Sequence, residues 1–517
     1  MITPIPAGAK IEPLTGWTAL HPAALAAARG EIDCQAVSGQ RWPRSARLAE
    51  ALAASNRRWG VDVSSPLADW LGGAEVIVTG QQPGLLGGPL LTLIKACAVA
   101  AEVARRRISG RPAVGFLWLA TADDDLPEMG WARVPAGEEL LVTRAAGWTR
   151  GAATAGATLL GDEVATLLDA LDGRVASPHA AEVLALARQT QAPGTGLGEA
   201  TARLLGAALS GTEVVLVDSL EPELARAGAA NLARVLADLP AAWDALGAGL
   251  SGFAGRGWPA PLRLARHKLP VFRLAGGRRE SIASGSGGSC PSAVRDEFIR
   301  HPERFVPNVW LRPLLQDAAL DPAVSVLGGA ELAYHLVAAE LRSWAGAARP
   351  EWRLRPHVTV VTAAERRLVG QIRCTPADLL RRALPVGALP GAKTRASLRR
   401  LRATLDTSLA AVGEHARTEL PGLTGDFAAT ARKLRSAVGW LDQRADAAAT
   451  RGADTEVARW RRLRAALRPD GALQERHLSV IAPLLRLGLE WPAQLVRQLD
   501  PDHPGMHLLN WEEGGEW

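Results

Sequence analysis

The sequence predicts an α/β protein with a mostly parallel sheet and a separate helical arm. Short apolar runs alternate with helical stretches up to residue 361, a pattern typical of a parallel sheet covered by helices. Leucines recur at three- and four-residue spacing from Leu398 onward, which is typical of paired helices. Because 517 residues are too many for one hydrophobic core, we expect several domains.

Composition narrows the class of protein. Hydrophobic residues make up 48% and charged residues 22% of the chain, which are ordinary values for a folded globular protein. Its cysteines form no CxxC pair, so neither a disulfide framework nor a zinc site is indicated. No apolar run of roughly 18 residues and no signal peptide is recognised. We therefore expect a soluble, cytoplasmic protein without a membrane partner.

The net charge of +6 comes from one segment of the chain. Arg381 to Asp470 carries 18 basic and 9 acidic residues, so the remainder is slightly acidic. Arginine-rich helical surfaces are most often solvated faces. The charge distribution therefore argues against a nucleic-acid partner.

Five apolar runs are predicted strands, and two of them lead into helices at Pro89–Arg107 and Glu331–Trp344. The runs are AEVIV (74–78), AVGFLWLA (113–120), TEVVLVD (212–218), AVSVL (323–327) and HVTVV (357–361). In open α/β sheets, ligands bind at the carboxyl ends of the strands. The residues after each run are therefore the candidates for a site.

The turn after the first run, TGQQPGLLGGP at Thr79–Pro89, predicts a binding loop. Its glycines permit close approach of a ligand, and Pro89 suits the first position of a helix whose free N–H groups attract anions. The spacing matches neither GxxxxGK(S/T) nor GxGxxG. A tight turn without a ligand is the alternative, but two side-chain amides favour a site. The candidate binding residues are Thr79, Gly80, Gln81, Gln82, Gly84, Gly87 and Gly88.

Three consecutive carboxylates, Asp123, Asp124 and Asp125, follow the second run in TADDDLPEM. Adjacent carboxylates repel one another, so a cation or an amine is expected between them. Magnesium or a substrate ammonium would serve, and these aspartates are the candidate catalytic residues. A solvated acidic turn that caps the next helix is the alternative.

A second glycine turn, GGAELAYHL at Gly328–Leu336, follows the fourth run and contains the only tyrosine of the chain. Upstream, Arg312 in PNVWLRPLLQD is suited to bind a carboxylate through two hydrogen bonds, with an ion pair inside the chain as the alternative. His335 is a candidate base, although packing is commoner for a histidine on an apolar helix. The candidate binding residues here are Arg312, Gly328, Gly329, Glu331 and Tyr334.

Two helices with narrow apolar seams are predicted at 398–412 and 427–445. Proline and glycine in ELPGLTG, Glu419–Gly425, separate them, which predicts an antiparallel helical hairpin. We expect the second helix to continue toward Leu467, with Gly452 as a weak point. The predicted domains are an α/β core at 1–375 with inserted helical segments at about 130–210 and 220–260, a coiled-coil arm at 376–470, and a C-terminal segment at 471–517 that packs back on the core.

Four blocks of the sequence point together to one family. They are VTGQQPGLLGGPLLTLIK, ERFVPNVWLRPLLQD, GGAELAYHL and RPDGALQERHLSVIAPLL. In these blocks, and in order from about Leu48 to the C-terminus, the chain resembles the bacillithiol synthases, the cysteine ligases of bacillithiol biosynthesis. The resemblance implies a Rossmann-type nucleotide-binding core similar to those of class I aminoacyl-tRNA synthetases, and a coiled coil that pairs two subunits into a homodimer.

The resemblance also implies a reaction, in which the carboxyl group of cysteine forms an amide with the amine of glucosaminyl malate. Amide formation in water is uphill, so the resemblance implies activation by ATP through an acyl-adenylate or an acyl-phosphate. Binding of ADP and magnesium is a further expectation. Asp123 and Asp125 would hold the amine or a metal. A second nucleotide site is expected at Gln474, Arg476, His503 and His507.

One block departs from the family pattern. Where we expect the family to have roughly E-D-H-D, this chain has Ala122, Asp123, Asp124 and Asp125. If the family histidine steadies phosphate or moves a proton, this protein is slow, altered in substrate or inactive. The alternative to a ligase is therefore a dimeric scaffold that binds ligands without turnover. A nicotinamide-dependent oxidoreductase is disfavoured because GxGxxG is absent.

Overall fold

The structure is a computed structural model that describes residues 9–12, 20–137, 139–371, 392–449 and 455–510. The chain divides into two compact units. The core unit consists of Met1–Ala363 and Ala472–Trp517, and the arm unit is Ala364–Gly471. Within the described residues, no helix combines the length and the apolar character needed to cross a membrane.

The strands of the described residues all belong to the core unit. They are β1 (Ala9–Glu12), β2 (Glu75–Gln81), β3 (Ala113–Leu119), β4 (Trp131–Ala136), β5 (Glu139–Arg144), β6 (Val214–Asp218), β7 (Lys268–Ala275), β8 (Arg278–Ala283), β9 (Phe305–Pro307), β10 (Pro322–Leu327), β11 (Glu351–Leu354), β12 (His357–Val361) and β13 (Met506–Asn510).

The α-helices occur in both units. They are α1 (Pro22–Ala28), α2 (Ala46–Arg58), α3 (Ser64–Leu71), α4 (Leu91–Ile108), α5 (Leu126–Met129), α6 (Glu163–Leu171), α7 (Ala180–Thr190), α8 (Leu197–Ala208), α9 (Pro222–Ala237), α10 (Leu239–Gly255), α11 (Ser292–Arg300), α12 (Arg312–Leu320), α13 (Gly329–Val337), α14 (Ala339–Ala345), α15 (Ala363–Gln371), α16 (Ala392–Glu419), α17 (Thr424–Ala449), α18 (Thr455–Leu467), α19 (Gln474–His477), α20 (Ile481–Leu487) and α21 (Trp491–Gln498).

The core unit is organised around a 5-stranded sheet with the order β11-β10-β2-β3-β6, in which every neighbouring pair is parallel. The chain runs outward from β2 through β3 to β6 and then returns to the other side of β2 for β10 and β11. This reversal is the strand order of a Rossmann fold, and it leaves a crevice at the carboxyl ends of β2 and β10. The prediction of an α/β core with a mostly parallel sheet is confirmed.

Alternating residues of the central strands face two separate hydrophobic layers. Val76 and Val78 lie in one layer with Trp70 and Phe116, whose rings are 5.7 Å apart. Ile77, from the same strand, lies in the other layer with residues of α4. Because both faces are covered, the strands are apolar along their length, as parallel sheets require. Polar chemistry is therefore confined to the strand ends.

The strand predicted at 357–361 is present as β12, but it lies outside the central sheet. It pairs in parallel with β13, which pairs in antiparallel with β1. The place beside β10 is taken by β11, which is not among the predicted strands. Pro356, between β11 and β12, has no N–H to donate to a ladder, so the chain leaves the central sheet at that point.

The arm unit contains the helical hairpin that the sequence predicts. A 3-10 turn at Pro421–Leu423 joins α16 to α17, within the predicted connection. A Cβ atom added to Gly413 would lie 2.9 Å from the ring of Phe427, so the two helices approach closely there. The next helix begins at Thr455, and the weak point predicted at Gly452 lies outside the described residues.

Candidate active site

A buried lysine, Lys95 of α4, bridges the carboxyl ends of β2 and β10. Its Nζ atom donates to Gly80 O at 2.7 Å, to Gln81 Oε1 at 3.1 Å and to Glu331 Oε2 at 2.7 Å. Lys95 is only 3% exposed, so these acceptors replace the water that its three N–H donors would otherwise bind. Lys95 closes the first of the four sequence blocks, yet it is not among the residues predicted to form the site.

Glu331 anchors this bridge on the side of β10. The Gly328 N–H donates to the same Oε2 atom at 2.6 Å, so Glu331 also caps the start of its own helix, α13. Burial alone would raise the pKa of Glu331, but the Lys95 ammonium and these hydrogen bonds bring it below its ordinary value. Burial lowers the pKa of Lys95, and Glu331 opposes that shift. Each charge of the pair therefore stabilises the other.

Arg312 and Tyr334 lie beside this ion pair. Arg312 donates from Nη2 to the Tyr334 hydroxyl at 2.7 Å and from Nη1 to Gln316 Oε1 at 3.0 Å. Tyr334 follows Glu331 by three residues on α13, which places both side chains on one face of the helix. Asp317, the carboxylate in the same block as Arg312, pairs instead with Arg342 at 2.9 Å. An ion pair between Arg312 and Asp317 is therefore not what the structure shows.

His335 is enclosed by protein. It is fully buried, and its Nδ1 atom lies 3.3 Å from Nη2 of Arg342. Burial, together with the charges of Arg342 and Arg312, holds the pKa of His335 well below its ordinary value. The enclosure of the imidazole by protein agrees with the packing interpretation.

A second buried ion pair joins the C-terminal segment to the strand ends. Nη1 and Nη2 of Arg355 donate to the two carboxylate oxygens of Glu475 at 3.0 and 2.7 Å. The same carboxylate lies 2.7 Å from His357 Nδ1 and accepts from Val358 N at 2.9 Å. Burial would raise the pKa of Glu475, but Arg355 and His357 hold it well below its ordinary value. No spacing signal distinguishes this single acid in the sequence.

Arg476 adds an exposed cation to the same region. It follows Glu475 directly, and its charge interacts with those of Arg355 and Glu331. Within the part of the chain that the structure describes, its guanidinium group has no protein partner. We use the name cationic cluster for Lys95, Arg312, Arg355 and Arg476 together with Glu331 and Glu475.

The other residues of the expected second nucleotide site have different surroundings. Gln474 is buried and accepts a hydrogen bond from Val360 N at 2.9 Å. His507 is fully buried, and burial lowers its pKa to about 4. His503 is exposed and lies 2.7 Å from Asp500. Of these four residues, Arg476 alone belongs to the cationic cluster. A second nucleotide site stays a prediction.

The glycines of the turn after β2 have a packing role. Gly84, Gly87 and Gly88 are buried, and a Cβ atom added to Gly87 would lie 3.0 Å from the Cβ atom of Val480. The φ angles of Gly87 and Gly88 are 84° and 78°, values that other residues rarely adopt. Packing and backbone conformation therefore both require glycine here, and a ligand-binding role for these residues stays a prediction.

The start of α4 is not open in the way that the sequence suggests. The helix begins at Leu91, two residues after Pro89, and Leu90 N donates to Leu478 O at 2.7 Å. Val480 N donates to Gly88 O at 3.0 Å from the same C-terminal segment. The segment therefore takes one N–H group of the helix start that is expected to attract an anion, and anion binding there stays a prediction.

Thr79 and Gly329 also have structural contacts. Thr79 Oγ1 donates to Val326 O at 2.8 Å and so ties β2 to β10. A Cβ atom added to Gly329 would lie 3.0 Å from the Cβ atom of Ala24, which requires a small residue at that position. Both contacts fix the walls of the crevice, and binding by these two residues stays a prediction.

An acidic cluster lies on the other side of β2. It consists of Asp123, Asp124, Asp125 and Glu128. Arg279 of β8 forms an ion pair with Asp124 and lies 3.3 Å from Asp123 Oδ1, while Arg150 forms an ion pair with Asp125. Arginine thus supplies the cation that adjacent carboxylates need. Among the described residues, no three His, Cys, Asp or Glu side chains are arranged to hold a metal ion.

The two adjacent glutamines connect β2 to the two clusters. Gln81 contacts Lys95 in the cationic cluster, whereas Gln82 donates from Nε2 to Asp123 Oδ2 at 2.7 Å and to Glu128 Oε2 at 3.3 Å. The end of β2 therefore has cations on the side of β10 and carboxylates on the side of β3. Such an arrangement suits an anionic group and an amine bound next to each other.

Fold and site together define a Rossmann-like α/β enzyme core with a helical coiled-coil region. Residues 29–344 match the family described as "Bacillithiol biosynthesis BshC, N-terminal Rossmann-like domain". Residues 393–511 match "Bacillithiol biosynthesis BshC, C-terminal coiled-coil domain". The chain belongs to the BshC family of bacillithiol biosynthesis, as its sequence blocks indicate.

Curated relatives from several bacteria agree with this family. A protein of Symbiobacterium thermophilum is 28% identical over 89% of this chain and 89% of its own length. A protein of Salinibacter ruber is 27% identical over 84% of this chain and 83% of its own length. Both have the name "Putative cysteine ligase BshC". The prediction that the chain is a member of a family of ligase enzymes is confirmed.

Proposed function

We propose that this protein forms an amide bond between the carboxyl group of cysteine and the amine of glucosaminyl malate, in bacillithiol biosynthesis. The observation that carries the proposal is the division of charge around the end of β2. The cationic cluster suits the carboxylates of malate or a phosphate, and the acidic cluster suits an amine. The family description and the names of the relatives support the coarser part of the proposal, a cysteine ligase of bacillithiol biosynthesis.

Activation of the cysteine carboxylate is the second part of the proposal. A carboxylate is a poor acceptor for an amine, so we propose ATP as the activating substrate, with Arg476 as a ligand of its phosphates. Among the described residues Arg476 has no hydrogen-bond partner, so its donors are available for phosphate oxygens. We propose magnesium as the companion ion of ATP, bound through the phosphate oxygens of the nucleotide.

The acidic cluster would prepare the amine for reaction. An alkylammonium group must lose a proton before its nitrogen can attack an activated carboxyl group, and a positioned carboxylate can accept that proton. Asp123 and Asp125 are the residues that we propose to hold the amine.

Cys34, Cys97 and Cys290 are free thiols, which suits the reducing cytoplasm where we place the reaction.

The experiment uses purified protein with cysteine, glucosaminyl malate, ATP and magnesium, and mass spectrometry detects the cysteinyl amide. Arg476→Gln should raise the KM of ATP about ten-fold, because one charge-assisted contact is lost. Arg497→Gln, in an exposed position of α21, is the matched control and should leave that KM unchanged. Absence of product from the unmodified protein would contradict the ligase proposal.

A ligand-binding scaffold is the second candidate, and one observation favours it. Arg279 already binds both Asp123 and Asp124, so two of the carboxylates have a protein cation as partner. A protein that binds malate and nucleotide in the calorimeter but makes no amide would support this candidate.

We also propose that the arm unit pairs two copies of the chain. Apolar side chains of α16 and α17 stay exposed, among them Leu401, Val412, Leu434, Trp440 and Leu441. Deletion of residues 394–467 should therefore leave a monomeric core. Light scattering that finds the intact protein monomeric at micromolar concentration would contradict the proposal.

A further inference from the structure

The side-chain amides of Gln81 and Gln82 have fixed and opposite orientations. Gln81 lies 3.1 Å from Lys95 Nζ, which can only donate, so the Oε1 atom of Gln81 must face the ammonium. Gln82 lies 2.7 Å from Asp123 Oδ2 and 3.3 Å from Glu128 Oε2, which accept, so its Nε2 atom must face the carboxylates. The chemistry of the partners, and not the shape of the amide, decides both orientations.

Each glutamine therefore keeps one amide atom for a ligand. Gln81 retains Nε2, a donor, and Gln82 retains Oε1, an acceptor. Within the described residues, neither atom has a protein partner, and neither is among the buried atoms that lack one. Two residues that are identical in sequence thus offer opposite hydrogen-bonding groups at the end of β2.

We propose that this pair sorts the anionic groups and the amine of the ligase substrates across the end of β2. Nε2 of Gln81 donates to an oxygen of the anionic partner, a carboxylate or an acyl oxygen, on the side of the cationic cluster. Oε1 of Gln82 accepts from an N–H of the primary amine, on the side of the acidic cluster. The inference rests on the proposed function and adds the direction in which the substrates lie across β2.

The sorting works by exclusion as well as by attraction. An amine beside Gln81 would face N–H donors and the Lys95 ammonium, and a carboxylate beside Gln82 would face a carbonyl oxygen and aspartates. Each exchanged ligand loses a hydrogen bond and gains repulsion between like charges, which is how specificity is commonly built. Lys95 acts as a positioning residue because it fixes the amide of Gln81. Asp123, which we also propose to hold the amine, fixes the amide of Gln82.

Two charged substitutions test the proposal, because each keeps the contact with the protein and changes the atom offered to the ligand. Gln81→Glu retains an acceptor for Lys95 but offers an oxygen where Nε2 was. Gln82→Lys retains a donor for Asp123 but has no acceptor. Gln81→Met and Gln82→Met form a second, uncharged pair, and Gln35→Glu and Gln35→Lys at an exposed position are the controls.

Malate and glucosamine are titrated separately by calorimetry as probes of the two sides. Variants of Gln81 should weaken malate binding about ten-fold and leave glucosamine binding unchanged, and variants of Gln82 should do the reverse. Tyr334 is the only tyrosine of the chain, so protein made with isotope-labelled tyrosine gives one tyrosine NMR signal. That signal should shift when malate binds, since Tyr334 is hydrogen-bonded to Arg312 of the cationic cluster.

Two results would overturn the sorting: variants of both residues that weaken the same probe, or an unmodified protein that binds neither probe. Failure of the proposed function has a different signature. If binding is sorted but no amide forms, the ligase reaction fails and the sorting stands. If the amide forms while both probes bind equally to all variants, only the sorting fails.

Discussion

The cationic and acidic clusters flank the same strand end, yet each contains an ion pair whose burial differs from that of the other, Arg355–Glu475 in the first and Arg150–Asp125 in the second. Glu475 is fully buried and Arg355 is 2% exposed, whereas the side chains of Asp123 and Arg150 are 29% and 75% exposed. Buried charges must satisfy one another, since an unpaired one is costly. Exposed pairs cost little to separate and can exchange partners with a substrate. The buried Arg355–Glu475 pair is thus part of the fold, whereas the exposed Arg150–Asp125 pair can exchange partners with a substrate.

The two clusters also differ in how the chain builds them. All carboxylates of the acidic cluster come from one loop after β3 and the first turn of α5, so adjacency in sequence reveals them. The cationic cluster takes residues from α4, α12, α13, the link between β11 and β12, and α19. Only the folded sheet brings these elements together. The acidic cluster can therefore be recognised in the sequence, whereas the cationic cluster cannot.

The largest effect should come from breaking the buried ion pair of the cationic cluster. Glu475→Gln leaves Arg355 buried without its counter-charge, and we expect a loss of about 3–5 kcal/mol in the free energy of unfolding. Denaturant unfolding measures this change. Glu128→Gln in the acidic cluster is the matched control, with an expected change below about 1 kcal/mol. Equal losses of unfolding free energy in Glu475→Gln and Glu128→Gln would contradict the prediction that the buried ion pair contributes more to stability.

A second effect should appear in the pH dependence of stability, because the C-terminal segment buries His507 as well as Glu475. Burial lowers the pKa of His507 from 6.5 to about 4, so the unfolded chain binds a proton first as the pH falls. Stability is therefore complete above about pH 6.5 and decreases toward pH 4, by up to about 3 kcal/mol from this residue. The slope of unfolding free energy against pH measures the effect.

His507→Gln should flatten that slope, because the group that gains a proton on unfolding is removed. His503→Gln, an exposed neighbour in the same segment, is the control for loss of a histidine. A slope that is the same in His507→Gln and in the unmodified protein would show that His507 does not contribute.

The sequence predicts those features of the fold and the site that are local in the chain, and not those that depend on contacts between distant residues. Strand patterns and helical seams are local, so the parallel sheet and the hairpin are predictable, and Asp123 to Asp125 stand out as neighbours. Lys95 and Glu475 show no such pattern, because the partner of each lies far away in the sequence. Lys95 pairs with Glu331, and Glu475 pairs with Arg355. The glycines of the turn suggest a binding loop for a related reason. The residue that packs on Gly87 is Val480, which is far away in the sequence.

Gly87 should therefore respond to substitution through packing. Gly87→Ala must adopt a φ of 84° and place a Cβ atom 3.0 Å from that of Val480, so we expect a loss of about 1–3 kcal/mol in unfolding free energy. Val480→Ala in the same chain should recover part of the loss by making room. Full stability of Gly87→Ala, combined with weaker binding of ATP, would instead support a binding role for the turn.

The smallest effect on stability and the sharpest test of chemistry are expected at Asp124, in the acidic cluster. Asp124→His breaks the ion pair with Arg279, whose side chains are 18% and 17% exposed, and we expect a stability loss of about 1 kcal/mol because solvent screens this pair only in part. The rate of amide formation should rise several-fold, since the imidazole can carry a proton while Arg279 keeps Asp123 as its partner. Asp296→His, at an exposed position of α11, is the control. A lower rate with weaker magnesium dependence would instead identify Asp124 as a metal ligand, and adding Ala122→Glu should then not restore the rate.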